Sequence, residues 1–232
     1  MKAAVFVALD TTDLARAKAL AAAAAPHVAG VKLGMEFFYA HGAAGVREVA
    51  DDIPLFLDLK LHDIPNTVAG GLRAVLSQLT PRYINVHAGG GPEMLMRAAE
   101  AVAEASGGKT RIIAVTVLTS LDDSDLAAVG QQGPAAEQVL RLAKLAQQQC
   151  CHGVVCSPAE VAMLRREMGP DFDLVVPGIR PAGADAQDQK RIMTPKDAMT
   201  AGATALVIGR PITGAADPGE AARAIAASMA WP

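Results

Sequence analysis

FLDLKLHDIPNT, residues 56–67, runs from an apolar strand into a polar cluster and then into a helix start, and the rest of the chain repeats that plan. Successive side chains of an extended strand point to opposite faces, so Asp58 and Lys60 share one side while Leu57, Leu59 and Leu61 share the other. Pro65 suits the first turn of a helix, where a missing N–H leaves no bond unmade. Charge at the end of a buried strand is costly unless it is paired or used. Asp58, Lys60, His62 and Asp63 therefore mark this strand end as a candidate site.

Apolar, β-branched-rich runs occupy 3–10, 30–34, 55–61, 83–88, 112–118, 153–156, 173–179 and 205–210. Stretches of helical character lie at 12–25, 36–50, 65–78, 92–106, 135–149, 158–168, 195–201 and 218–229. Pro92, Pro158, Pro195 and Pro218 stand near helix starts as Pro65 does. The strand runs are continuously apolar, as they are when helices cover both faces of a parallel sheet. Eight strand-then-helix units of about thirty residues predict an α/β fold, the (β/α)8 TIM barrel with its parallel eight-stranded sheet, whose usual size is about 250 residues. A doubly wound open sheet is the competing architecture. With no linker, low-complexity tract or shift in composition, residues 1–232 are expected to form one domain.

The chain is 51% hydrophobic, with a formal net charge of -3 and no basic run, which argues against nucleic-acid binding. The opening apolar run is broken by Asp10 before a signal-peptide core is complete, and no window reaches the length of a membrane span. Cys150, Cys151 and Cys156 are an odd number crowded into one segment, unlike a secreted disulfide framework. A cytoplasmic protein without a membrane partner is expected.

A barrel of this type carries its chemistry at the C-terminal ends of its strands. Those positions hold Asp10, Lys32, Asp58 with Lys60, His87, Thr116 to Ser120, Pro177 to Arg180, and Gly209 with Arg210. Asp10, Lys32, Asp58 and Lys60 facing one pocket would alternate in sign, which keeps each lysine protonated and each carboxylate ionised. A lysine held charged in this way is a proton donor, whereas a lone desolvated lysine serves as a base or nucleophile. The competing reading is a purely structural ion-pair network. VIGRP, 207–211, puts Gly209 and Arg210 at the end of the eighth strand, where barrels commonly bind phosphate; a turn glycine and a surface arginine are the plain alternative.

The Gly-, Ala- and Asp-rich segment 177–195 is long for a strand-to-helix loop and lacks an apolar stripe, which suggests a lid, with an unstructured connection as the alternative. In CCHGVVC, 150–156, the apolar Val154 and Val155 point to a strand with core cysteines, and no metal site is expected. HAGGGPE, 87–93, lacks dinucleotide-fingerprint spacing, and Asp122, Asp123 and Asp125 read as a solvated loop or helix start.

Taken together, FLDLKLHDIPNT, NVHA followed by GG, AVTVLTS, PGIRP, DQKRIMTP and VIGRPIT resemble the orotidine 5'-phosphate decarboxylase family, bacterial type, in the family's order from VALD at 7–10 to GRPIT at 209–213. The resemblance implies cofactor-independent decarboxylation of orotidine 5'-monophosphate to UMP and carbon dioxide in pyrimidine biosynthesis. It implies that Asp10 and Lys32 contact the ribose and join the charged network, that Asp58 sits beside the substrate carboxylate, and that Lys60 delivers a proton to carbon 6. Asp63, Ile64 and Thr67 would reach the neighbouring subunit's site in a homodimer. Thr119 and Ser120 would lie by the pyrimidine, Pro177 and Arg180 at the lid, and Gln189, Gly209 and Arg210 around the phosphate. No metal or other cofactor is implied. Two alternatives remain: a metal-dependent 3-keto-gulonate 6-phosphate decarboxylase, which shares the Asp-x-Lys-x-x-Asp strand, and a non-catalytic nucleotide-binding barrel.

Overall fold

The structure is a computed structural model that describes residues 3–181 and 193–229. Its strands are β1 (Ala3–Ala8), β2 (Val28–Gly34), β3 (Leu55–Leu61), β4 (Tyr83–His87), β5 (Arg111–Val115), β6 (Gly153–Val155), β7 (Asp173–Val176) and β8 (Ala205–Ile208). Each pairs in parallel with the next, and β8 pairs with β1, closing the barrel predicted from the alternation. The open-sheet alternative is thereby excluded.

Ten α-helices are present among the described residues: α1 (Leu14–Ala24), α2 (Met35–Ala50), α3 (Pro65–Leu76), α4 (Gly91–Ser106), α5 (Asp123–Ala128), α6 (Ala135–Gln148), α7 (Val161–Met168), α8 (Pro195–Thr200), α9 (Arg210–Thr213) and α10 (Pro218–Ser228). Their starts follow local chemistry. Asp13, Thr194 and Asp217 each accept a hydrogen bond from a backbone N–H of the first turn, and Asp122 with Asp125 forms a capping box. That box turns the acidic stretch after β5 into α5.

Strand parity divides the apolar residues into two cores. Val5, Val7, Leu9, Val31, Leu33, Leu57, Leu59, Ile84 and Val86 belong to the core that includes the buried faces of the helices. Phe6, Ala8, Phe56, Tyr83, Ile113, Val175, Ala205 and Val207 form a second cluster inside the barrel. Phe6, Phe56 and Tyr83 meet edge to face there, with ring centroids 5.5–6.3 Å apart. Burying each Phe ring contributes about 1.5–3 kcal/mol. Gly30 makes room for them: a Cβ at that position would come within 2.1 Å of the Pro54 carbonyl and 2.7 Å of the Phe6 ring. The plug fills one end of the barrel and leaves its upper surface as the floor of a cavity.

Most expected strands run past their observed ends. The first, fifth, seventh and eighth stop at Ala8, Val115, Val176 and Ile208, rather than at 10, 118, 179 and 210. Val117 is buried beyond the last β5 pair, and Ile179, past the end of β7, is buried with only an isolated bridge to Met193, so burial extends the apolar run after the strand has ended. Arg210 opens α9 instead of closing β8.

Candidate active site

Four charged side chains, from β2, β3 and the segment just after β1, meet above the plug. Lys32 Nζ lies 3.2 Å from Asp10 Oδ1 and 3.2 Å from Asp58 Oδ2, and Lys60 Nζ lies 2.7 Å from Asp58 Oδ1. Asp10 follows β1 and is mostly exposed, while Lys32 and Asp58 are buried and Lys60 is intermediate. Burial opposes the Lys32 ammonium, but Asp58 and Asp10 outweigh it and hold its pKa above the ordinary lysine value. Burial likewise opposes the Asp58 carboxylate, and Lys32, Lys60 and Asn85 reverse this, holding its pKa below the usual carboxylate range. The buried Lys32 ammonium and Asp58 carboxylate thus stay charged together.

The backbone carrying Lys60 is not a plain strand. Lys60 has φ 50°, in the left-handed region, where a side chain other than glycine's costs about 1–3 kcal/mol. The β3–β4 ladder steps from Leu57↔Ile84 to Leu61↔Val86, four residues against two. Asp58 and Lys60 share a side as expected, yet a bulge, not the pleat alone, brings the ammonium back onto the carboxylate.

Asn85, on β4, is fully buried and was not singled out by sequence. Its Oδ1 accepts from the Lys60 backbone N–H at 2.8 Å, and its Nδ2 donates to Asp58 Oδ1 at 2.7 Å. An amide inside the apolar strand YINVH needs buried partners, and that was the available signal. Two residues on, the ring of His87 stands 5.4 Å from that of His62, centroid to centroid. Burial, followed by His62 and Lys60, pushes the His87 pKa down against the pull of Asp58.

The cavity has a volume of about 320 Å³, the size of a small-molecule site. Asp10, Lys32, Asp58 and Lys60 form one side, and Phe56, Val155 and Val207 rise from the floor. Thr119, Pro177, Arg180, Gly209 and Arg210 complete the expected residues that line it. Val115, Val117, Leu118 and Cys156 add an apolar wall. Arg180 is buried, its backbone N–H donating to Met193 O at 3.1 Å and its Nη1 to Ile179 O at 3.0 Å.

Ser120 is exposed and does not line the cavity, and Thr116 donates instead to the Val155 carbonyl. Asp63, Ile64 and Thr67, at the entry to α3, are also exposed and outside the cavity lining. Gln189 and the central part of the expected lid, 182–192, lie outside the described residues. Cys151 and Cys156 are buried, with burial raising both thiol pKa values, and Cys150 is exposed. Among the described residues no group of three or more His, Cys, Asp or Glu is placed to hold a metal ion.

Residues 3–225 match the orotidine 5'-phosphate decarboxylase / HUMPS family. A relative from Thermobifida fusca, named orotidine 5'-phosphate decarboxylase, is 53% identical over 231 residues, covering 99% of this chain and 97% of its own length. One of the same name from Rhodospirillum rubrum is 53% identical, with coverage of 97% and 93%. A crystal structure of orotidine 5'-phosphate decarboxylase from Lactobacillus acidophilus is similar with a TM-score of 0.85 at 38% identity, covering 98% of this chain and 99% of that one.

Proposed function

The chain belongs to the orotidine 5'-phosphate decarboxylase / HUMPS family, and from that premise we propose how its cavity works. The reaction is that of a carboxy-lyase, the decarboxylation of orotidine 5'-monophosphate to UMP and carbon dioxide in pyrimidine biosynthesis. The observation that carries the residue assignments is the Lys60 ammonium 2.7 Å from Asp58 Oδ1, in one cavity with Lys32 and Arg210.

When the bond from carbon 6 to the carboxylate breaks, its electron pair stays on carbon 6 in the plane of the ring. The pyrimidine π-system cannot take up that charge, so it must be met electrostatically. Lys60 faces the developing charge and then gives carbon 6 a proton, leaving as a neutral amine that solvent reprotonates. Asp58 keeps that ammonium aimed and stands against the substrate carboxylate, a repulsion relieved as carbon dioxide departs. The ring sits against the apolar wall with Thr119 beside it. Asp10 and Lys32 take the ribose hydroxyls, while Gly209 and Arg210, which also line the cavity, take the phosphate. Phosphate contacts far from carbon 6 supply binding energy that serves the chemical step. Pro177 and Arg180 border the entrance.

The same reading takes residues 1–232 as one barrel domain and a homodimer as the active form, with Asp63, Ile64 and Thr67 serving the partner's site. Their exposure, and the 67% exposure of the apolar Ile64, support this. No cofactor is assigned, and the expected location is cytoplasmic. Among the described residues no helix is long and apolar enough to cross a membrane.

Purified protein mixed with orotidine 5'-monophosphate in the presence of a chelator should bleach the orotate absorbance and yield UMP. Activity that chelator abolishes and a divalent ion restores would favour the sugar-phosphate decarboxylase alternative. UMP binding with no turnover would favour a non-catalytic barrel.

A further inference from the structure

A proton donor at the tip of Lys60 is only as well aimed as the backbone that carries it. Lys60 is one of two residues other than glycine with positive φ among the described residues, and it stands at a bulge that breaks the β3–β4 ladder. A left-handed residue there would leave its N–H without a ladder partner. Asn85 Oδ1 accepts that N–H at 2.8 Å. The other end of the same amide donates to Asp58 Oδ1, the oxygen that also receives Lys60 Nζ. The amide orientation is fixed by chemistry, because an N–H needs the oxygen and a carboxylate needs the NH2. Asn85 is fully buried, so no water can replace either bond without space being made for it.

We propose that Asn85 is a positioning residue, whose one amide locks both the backbone of Lys60 and the carboxylate of Asp58 and so aims the ammonium at the reacting carbon. This inference rests on the proton-donor role assigned to Lys60. It predicts damage to turnover and not to ligand binding, because the hydrogen bonds of Asn85 go to the Lys60 backbone and to Asp58 and not to the groups assigned to the ribose and phosphate. A misplacement near 1 Å at a reacting group costs about 100-fold in rate.

Asn85→Ala should lower kcat by about 100-fold, with KM and UMP affinity within threefold of the wild type. Asn85→Asp has the same shape. Its introduced carboxyl, when protonated, accepts from the Lys60 N–H and donates to Asp58, as the amide does. When ionised it repels Asp58, and two carboxylates at that distance raise the pKa of one of them. The groups facing it are Asp58 and Lys60 on β3, with Lys32, Asp10, His62 and His87 around them. The ratio of variant to wild-type kcat isolates what the introduced carboxyl, together with the groups coupled to it, adds to the pH profile.

That ratio should rise as pH falls from about 8 to about 6. Wild-type turnover is measured first, and an inert wild-type protein sinks the functional reading itself. With an active wild type, the positioning role is overturned by Asn85→Ala retaining kcat within threefold, by a loss of UMP affinity that matches the loss of kcat, or by a pH-invariant ratio for Asn85→Asp. Should Asn85→Ala fail to fold, the pH ratio of Asn85→Asp decides alone.

Discussion

Lys32 Nζ stands 3.2 Å from Asp58 Oδ2 with both side chains nearly out of solvent, 10% and 11% exposed. Neither charge would be tolerable there alone, since burial opposes both and each is held ionised by its neighbours.

Asp58→Ala leaves the Lys32 ammonium with Asp10 alone, whose side chain is 64% exposed. Breaking a buried pair from one side costs about 3–5 kcal/mol, and urea unfolding at neutral pH should show a deficit of that order. The pH dependence has a definite sign. The depressed pKa of Asp58 contributes stability above the unfolded value of about 4 that is lost as pH falls through the folded value. The raised pKa of Lys32 contributes stability below about 10.4 that is lost as pH rises through its folded value. The gap between wild type and variant should therefore be widest between these limits and narrow at both ends.

Lys60→Ala should abolish protonation of carbon 6 while UMP binding, followed by calorimetry, stays measurable. Asp63→Ala should also be inactive if that carboxylate completes the neighbouring site. Mixing the two inactive proteins and allowing subunit exchange tests the shared site directly. In a heterodimer one site takes both intact residues and the other takes neither. With random pairing, about a quarter of all sites should recover. No recovery after exchange has been demonstrated would assign Asp63 to its own subunit.

The barrel was legible because period and punctuation agree eight times, and Asp58 with Lys60 because parity alone puts them on one side of a strand. Strand ends were less legible: hydrophobicity reports burial, not ladder pairing, so Val117 and Ile179 extended strands that had already stopped. The left-handed turn at Lys60 could not be read from parity, which a bulge of two extra residues preserves. Asn85 was missed for a related reason. Its partners lie 25 and 27 residues away, and only the assembled sheet brings them within bonding distance.

A second pH effect arises at the opposite end of the barrel. His152 Nδ1 accepts the Ile112 backbone N–H at 3.1 Å, which requires an unprotonated ring nitrogen. Burial, then the Arg111 charge, pushes the His152 pKa down against the pull of Asp173, and an N–H donated to Nδ1 favours the neutral ring as well. A histidine with a folded pKa below its unfolded value of about 6.5 contributes stability that is present above that value and lost as pH falls. His152→Asn keeps an acceptor in place that does not titrate. Urea unfolding should therefore show a shallower loss of stability in the variant than in the wild type on acidification from about pH 7 to pH 5, the difference reaching about 1 kcal/mol. His87 titrates in both proteins and drops out of the comparison.

Arg165, on α7, joins two loops that no strand pairing connects. Its guanidinium donates to the carbonyls of Gly169, Pro170 and Phe172, between α7 and β7, and to Gly202 O and Thr204 Oγ1, between α8 and β8. Thr204 Oγ1 in turn accepts the Leu174 N–H, so the arginine braces the start of β7 from both sides. Gly202 has φ 109°, and a Cβ there would come within 2.7 Å of the Arg165 side chain, so this loop is fitted closely around the arginine. Lysine cannot reproduce a fork that serves carbonyls in several directions. Arg165→Lys should lower stability by about 2 kcal/mol, since each buried carbonyl left without a donor costs about 1–3 kcal/mol and water can reach some of them. Arg165 is absent from the cavity lining. Thermal melting should therefore shift downward while kcat and KM, measured well below the transition, stay at wild-type values. A fall in kcat at that temperature would show that the brace extends to the mouth of the barrel.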